Sequence, residues 1–240
     1  WIGNWLKLLP DNDNDNDNLR LLSASHNNQL VALGIFIEHN ITRNGCINSK
    51  QWLLHRTGNE ELDQIWIENN NFLIQEKDQK TIEQAIWRYL TKNQSQVDEF
   101  ILNVAKAADV TTISSSINQY QLLSSNHERG YHIELSNYSS IDDYLISRSK
   151  NTRQQIRRSH KLLTAAGEVK FNVLTDPQAQ LKLLNQTKKW HIAKWKNTET
   201  PSGFTNHIFT DFHHTLIHTS HNNAHTLMSQ LTLDDDILGC

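Results

Sequence analysis

Residues 148–196 read RSKNTRQQIRRSHKLLTAAGEVKFNVLTDPQAQLKLLNQTKKWHIAKWK. On a helical wheel Thr152, Ile156, Ser159 and Leu163 share one side, while Lys150, Arg153, Arg157 and Lys161 fall in a narrow arc opposite. Gly167 is placed to end that helix, Val169 to Leu174 reads as a strand, and the pair Asp176-Pro177 opens a second helix that runs to Lys196. Helix, strand and helix in succession argue for an α/β architecture.

Outward from this stretch the same alternation continues. Thr205 to Ser220 is a helix with Ile208, Phe212 and Leu216 spaced by four, Leu227 to Leu233 a strand, and Ile237 to Cys240 the start of a returning one. Ser139 and Ser140, with Asp142 and Asp143 three residues on, form a capping-box-like helix start. Toward the N-terminus, strand-like runs cover 19–24, 30–37, 51–55 and 65–74, a helix covers 78–93, and 99–104 and 131–135 return to strand. Trp1, Ile2, Trp5, Leu6 and Leu9 recur at helical spacing before Pro10. The loop Ser124 to Gly130 marks a domain boundary near residue 130. The hairpin that stops at Cys240 leaves ladder bonds unmade, so the chain reads as a fragment.

Charge is unevenly placed. Net charge is −3 over 240 residues, yet residues 148–196 hold twelve Lys or Arg against only Glu168 and Asp176. A positive field gathered in one place suits an anionic ligand, and guanidinium groups match phosphate oxygens in pairs. The same stripe also reads as an ordinary solvated helix face. No interleaved aromatic platform or DNA-binding motif accompanies it. A hydrophobic content of 37% and a mean hydropathy of −0.61 are polar for a globular chain, but the excess is Asn, Gln, Ser and His, which does not preclude a core. Cys46 and Cys240 imply no disulfide framework and point to a reducing compartment, the cytoplasm. No run approaches the roughly 18 apolar residues of a membrane span.

Metal and nucleophile motifs fail on inspection. The Asp-Asn alternation from Asp11 to Asn18 places Asn16 where a calcium loop needs Gly and Leu22 where it needs a bidentate Glu. His214 and His218 have the four-residue spacing of a zinc pair, but neither a Glu after the first nor a cysteine cluster joins them, so no metal is expected. There is no Gly-x-Ser-x-Gly, and Cys46 lies in a polar turn.

Three pieces carry a family resemblance: His55-Arg56-Thr57-Gly58 followed by Asp63 to Asn70; Tyr144-Leu145 followed by Ser149 to Arg153, Ile156-Arg157-Arg158 and Gly167; and His191, Trp195, Ser202-Gly203-Phe204, Phe209 and Phe212. Together they resemble the acetyltransferases named for CelD and BcsL of bacterial cellulose biosynthesis. That group lies in the GNAT superfamily and is similar to FemAB-type transferases in carrying two tandem GNAT-like halves. The resemblance implies a first GNAT-like domain over 1–130 and the start of a second over 131–240. It implies acyl transfer from acetyl-CoA or another acyl-CoA to an amine or hydroxyl, in envelope polysaccharide metabolism. Alternatives are an aminoacyl transferase using charged tRNA and a non-catalytic GNAT-like binding module. No Gly-x-Gly occurs in these residues, so the usual phosphate-cradling loop is absent and the chain alone is expected to be inactive.

The candidate site residues follow. Glu68, in an apolar strand-like run where burial would raise its basicity, is the candidate catalytic carboxylate, with a structural ion-paired Glu as the other reading. Arg153, Arg157, Arg158 and Lys161 are candidates for donor phosphates. His191 and Trp195, one helical turn apart, either line an acceptor pocket or pack.

Overall fold

A computed structural model describes residues 1–9, 18–65, 67–117, 120–124, 129–220 and 226–240. The chain divides into two compact units, residues 1–123 with 197–215 and residues 124–196 with 216–240. Both are mixed α/β. The Asp-Asn run falls almost wholly outside the described residues.

Unit 1 is built on the strands β1 (Leu19–His26), β2 (Gln29–Arg43), β3 (Ile47–Leu54), β4 (Leu73–Ile74) and β5 (Glu99–Ile101). Their order is β1-β2-β3-β5 with β4 also on β2. All pairs are antiparallel except β3 with β5, which is parallel. Asn27 and Asn28, both at positive φ, make the two-residue turn between β1 and β2, because Asn tolerates the left-handed region and such turns match strand twist. Helix α1 (Ile2–Leu6) precedes the sheet, and α2 (Gln79–Asn93) and α3 (Ala107–Ser114) follow β4 and β5.

Alternation along β2 sets the core. Ala32 and Phe36 face the same side as Trp52 and Leu54 of β3, and α2 lays Ile86, Trp87 and Leu90 on them. Gly34 lies on that side too. A Cβ there would sit 2.5 Å from Cδ1 of Phe72, itself only 5% exposed. Gly34→Ala is therefore expected to cost about 1–3 kcal/mol, measured as a shift in urea midpoint with an unchanged slope.

Two expected strands are not strands. Of residues 65–74 only Leu73–Ile74 pair. Asn69 adopts φ 56, the fully buried Asn70 donates from Nδ2 to the Leu54 carbonyl at 2.8 Å, and Asn71 donates to Glu83 at 3.1 Å. Side-chain amides satisfy local backbone and turn the chain, which outcompetes a ladder. Residues 131–135 pair with nothing among the described residues and leave Tyr131, Ile133 and Leu135 exposed. The helix α3 had no strong periodic signal and was not foreseen.

Unit 2 holds α4 (Ile141–Ile146), α5 (Lys150–Ala166), β6 (Val169–Leu174), α6 (Pro177–Trp195), β7 (Met228–Leu233) and β8 (Asp236–Gly239). The helix α7 (His207–Ser220) begins in unit 1 and ends in unit 2. The sheet β6-β7-β8 is antiparallel throughout. The expected caps form: Ser140 Oγ accepts from Asp143 N at 3.1 Å, Asp143 in turn accepts from Ser139 N, and Asp176 accepts from Ala179 N at 2.7 Å. Leu183 and Leu184 of α6 are buried. No described helix is long and apolar enough to cross a membrane.

Candidate functional site

In unit 2 the cationic helix is assembled from its N-terminus. Ser149 caps α5 by accepting from Thr152 N at 3.2 Å. The corner between α4 and α5 is held by two arginines. Arg148 donates to the Tyr138 hydroxyl at 3.0 Å and lies 4.9 Å over the Tyr144 ring. Arg153 donates from Nη1 to the carbonyls of Ile146 at 2.8 Å and Arg148 at 3.0 Å. Arg153 thus satisfies orphan carbonyls at the end of α4, and its place in the cationic stripe is partly spent on the fold.

The side chains of Lys150, Arg157, Arg158 and Lys161 differ. Each is exposed and makes no ion pair or hydrogen bond among the described residues. Lys150, Arg157 and Lys161 lie on one side of the helix. Helical rise puts successive members about 10 and about 6 Å apart along the axis. No residue of α5 is buried, so the stripe is open to solvent along its length.

On α6 the rings of His191 and Trp195 stack, with centroids 5.7 Å apart and planes at 19°. The sequence-predicted neighbours are in contact. Neither ring lines the groove of about 530 Å³ that β6, β7, β8 and α6 form in the same unit. Its floor carries the directly opposed pair Asn172 and Gln230, and next to them Thr232, 7% exposed. Gln186 and Lys182 of α6 form the wall. None of these five side chains has a hydrogen-bond partner among the described residues. Asn172 and Lys182 are exposed and Gln186 and Gln230 half-buried, so these groups are solvated and open to a ligand.

Unit 1 holds the other conspicuous polar constellation, at the ends of β3 and β5. The carboxylate of Asp63, its side chain 5% exposed, accepts from Arg56 Nε at 2.7 Å, Thr57 N and Oγ1 at 2.8 Å, and Gly58 N at 2.9 Å. Gly58 sits at φ 80, which lets its N–H turn inward. The amides that a loop of this kind could offer to an external anion are thereby taken by an internal one.

His55, 2% exposed at φ 51, hydrogen-bonds through Nδ1 to Asn70 Oδ1 at 3.0 Å. Asn70 uses its Nδ2 on the Leu54 carbonyl, so its oxygen faces the ring and His55 carries the proton on Nδ1. Its Nε2 is buried without a partner among the described residues. Burial holds His55 below the ordinary histidine range despite the Asn70 bond. His55 entered the sequence reading only within a motif; an isolated His carries no signal of burial.

Glu68 is exposed, on a bend rather than a strand. The expectation that burial would raise its basicity does not fit its surroundings. Beside Asp63, a second buried carboxylate of unit 1 is Glu83 of α2. Burial pushes it above the ordinary range, Asn71 opposes this, and Asp109 adds to it. Trp87 Nε1 makes no hydrogen bond of good geometry, yet the indole is near enough to Glu83 to oppose the rise as Asn71 does.

These two groups give opposite pH effects. His55 takes up a proton less readily in the native state than in the unfolded chain, whose value is 6.5, so its contribution falls as pH drops below that value. Glu83 binds its proton more readily when folded, so its contribution falls as pH rises above the unfolded value of 4.5. Against wild type, His55→Gln should therefore gain relative stability on acidification from pH 7. Glu83→Gln should be the more stable protein at pH 7 and lose that advantage as pH falls. Urea melts across pH 5 to 8 measure both.

Among the described residues no three His, Cys, Asp or Glu side chains group as a metal site would need. His221 and His225 lie outside the described residues.

Residues 150–240 match the family model described as an acetyltransferase (GNAT) domain, a class that transfers acyl groups from acyl-CoA. The matched span takes in α5, β6, α6, α7, β7 and β8. Neither a curated protein nor a solved structure matches the chain significantly.

Proposed function

We propose that the chain is part of a GNAT-type acyltransferase with two GNAT-like lobes, 1–130 and 131–240, in which α5 receives the phosphates of acyl-CoA. The observation that carries this reading is the match of residues 150–240 to the acetyltransferase domain. The four uncommitted cations of the helix that opens that span add to it. With no Gly-x-Gly in these residues, side chains rather than a glycine loop supply the positive field. Arg157, Arg158 and Lys161 contact phosphate oxygens, while Arg153 acts by fixing the corner that aims α5.

The acceptor is an amine or hydroxyl. It adds to the thioester carbonyl, loses its proton, and the sulfur departs as the thiol. Glu68 of unit 1 is proposed as a catalytic carboxylate, acting as an exposed group. The Asn172–Gln230 groove suits a polyhydroxylated acceptor, because each amide both donates and accepts as a hydroxyl does. This agrees with a role in envelope polysaccharide metabolism. His191 and Trp195 line the acceptor side.

Thermal denaturation with acetyl-CoA tests the reading. A rise in melting temperature is expected that shrinks with added salt. Arg157→Gln with Lys161→Gln should weaken the apparent affinity roughly a hundredfold, about tenfold for each charge-assisted contact. No stabilisation, or equal stabilisation of the double variant, would sink it. Tight, salt-sensitive tRNA binding without any acetyl-CoA effect would transfer the stripe to the aminoacyl-transferase alternative.

A further inference from the structure

The groove of unit 2 has a charge pattern that a neutral polyol leaves unused. The turn between β7 and β8, with the first residue of β8, brings Asp234, Asp235 and Asp236 to one end of it. Lys170 and Lys182 also line it. Some of these charges serve the fold. Asp234 accepts from Glu168 N at 2.9 Å, and its own N–H donates to the Glu168 carbonyl at 2.7 Å. Its carboxylate lies against Gly167, where a Cβ would sit 2.5 Å from Oδ2. Lys170 pairs with Glu168 at 2.7 Å, and that carboxylate, with Asp235 and Asp234 adding to it, holds the ammonium above its ordinary range.

What remains is anionic. The side chains of Asp235 and Asp236 are exposed and make no hydrogen bond or ion pair among the described residues. Counting Glu168, the two lysines Lys170 and Lys182 face four carboxylates, a surplus of two negative charges. On the sheet floor beside them Thr232 is 7% exposed, and its hydroxyl bonds to nothing among the described residues. A buried hydroxyl left unpaired is costly, and one that opens into a groove is completed by whatever enters. Asn172, Gln186 and Gln230 line the same groove.

We propose that this groove binds an amino sugar in its protonated form, with the ammonium on Asp235 and Asp236 and the hydroxyls on Thr232, Asn172, Gln186 and Gln230. The surplus of carboxylates favours a cation over a neutral or anionic sugar of the same shape. Lys182 carries donors only, so it serves ring and hydroxyl oxygens. Held between two carboxylates the amine keeps its proton and has no lone pair to offer, so it anchors the ligand and is not the group acylated. As acceptor the amino sugar rests on the acyl-transfer reading, but its capture by the groove does not.

Isothermal titration of the whole chain with β-1,4-linked diglucosamine, cellobiose and cellobiouronic acid tests it, since the three share a ring framework and differ in charge. Expected are one diglucosamine per chain, cellobiose about fivefold weaker, the scale of one solvent-exposed ion pair, and the uronic acid weaker still. Asp235→Asn with Asp236→Asn, at exposed positions that should leave the melting temperature near wild type, should remove the preference and leave cellobiose unchanged. Thr232→Val should weaken both sugars alike. Equal binding of diglucosamine and cellobiose, a preference that survives the double variant, or no sugar binding at all would overturn the proposal. The acetyl-CoA shift in melting temperature is read separately. Its absence with diglucosamine still bound sinks the acyl-transfer reading and upholds the groove's ligand, whereas a shift without sugar binding sinks the groove's ligand alone.

Discussion

Asp63→Ala is expected to lower the stability of unit 1 by about 3–5 kcal/mol, because it strips the shared acceptor from a guanidinium, two backbone amides and a hydroxyl at once. The Arg56 charge and the Thr57 and Gly58 amides are then left beside one another with no counterpart. Asp63→Asn should recover part of the loss, since its amide oxygen still accepts. Urea unfolding at pH 7 measures both. A loss under about 1 kcal/mol for the alanine variant would mean that water replaces the carboxylate, as in an exposed pair.

The second large effect lies in the core. Phe36 is 0% exposed, and its ring packs against Trp52, Phe72 and Phe100 at centroid distances of 5.4, 5.9 and 6.2 Å. Phe36→Ala should cost about 3–5 kcal/mol, because three aromatic walls cannot close over the void. Phe36→Leu should cost much less, since it keeps most of the volume. Equal losses for the two variants would show that ring contacts rather than filled space decide this site.

The caps of α4 and α6 were readable because capping is local: Ser140 and Asp176 meet an amide within three residues. The cationic stripe was readable for the same reason, since helical periodicity alone sets it. What local pattern could not show was that Arg153 folds back onto the Ile146 carbonyl, a contact that requires the turn between α4 and α5. Residues 65–74 misled because their apolar run looks like a strand, whereas the decisive groups are the amides of Asn70 and Asn71, whose partners lie on β3 and α2. The burial expected of Glu68 went with that strand: the residue is exposed on a bend. The groove of unit 2 was out of reach for a related reason: Asn172 meets Gln230 only once distant strands pair.

Amide hydrogen exchange of the whole chain, with and without millimolar acetyl-CoA, tests the central claim most directly. The account expects slowed exchange concentrated in α5 from Lys150 to Ala166, reduced by Arg157→Gln. Exchange unchanged throughout residues 148–196 would contradict it.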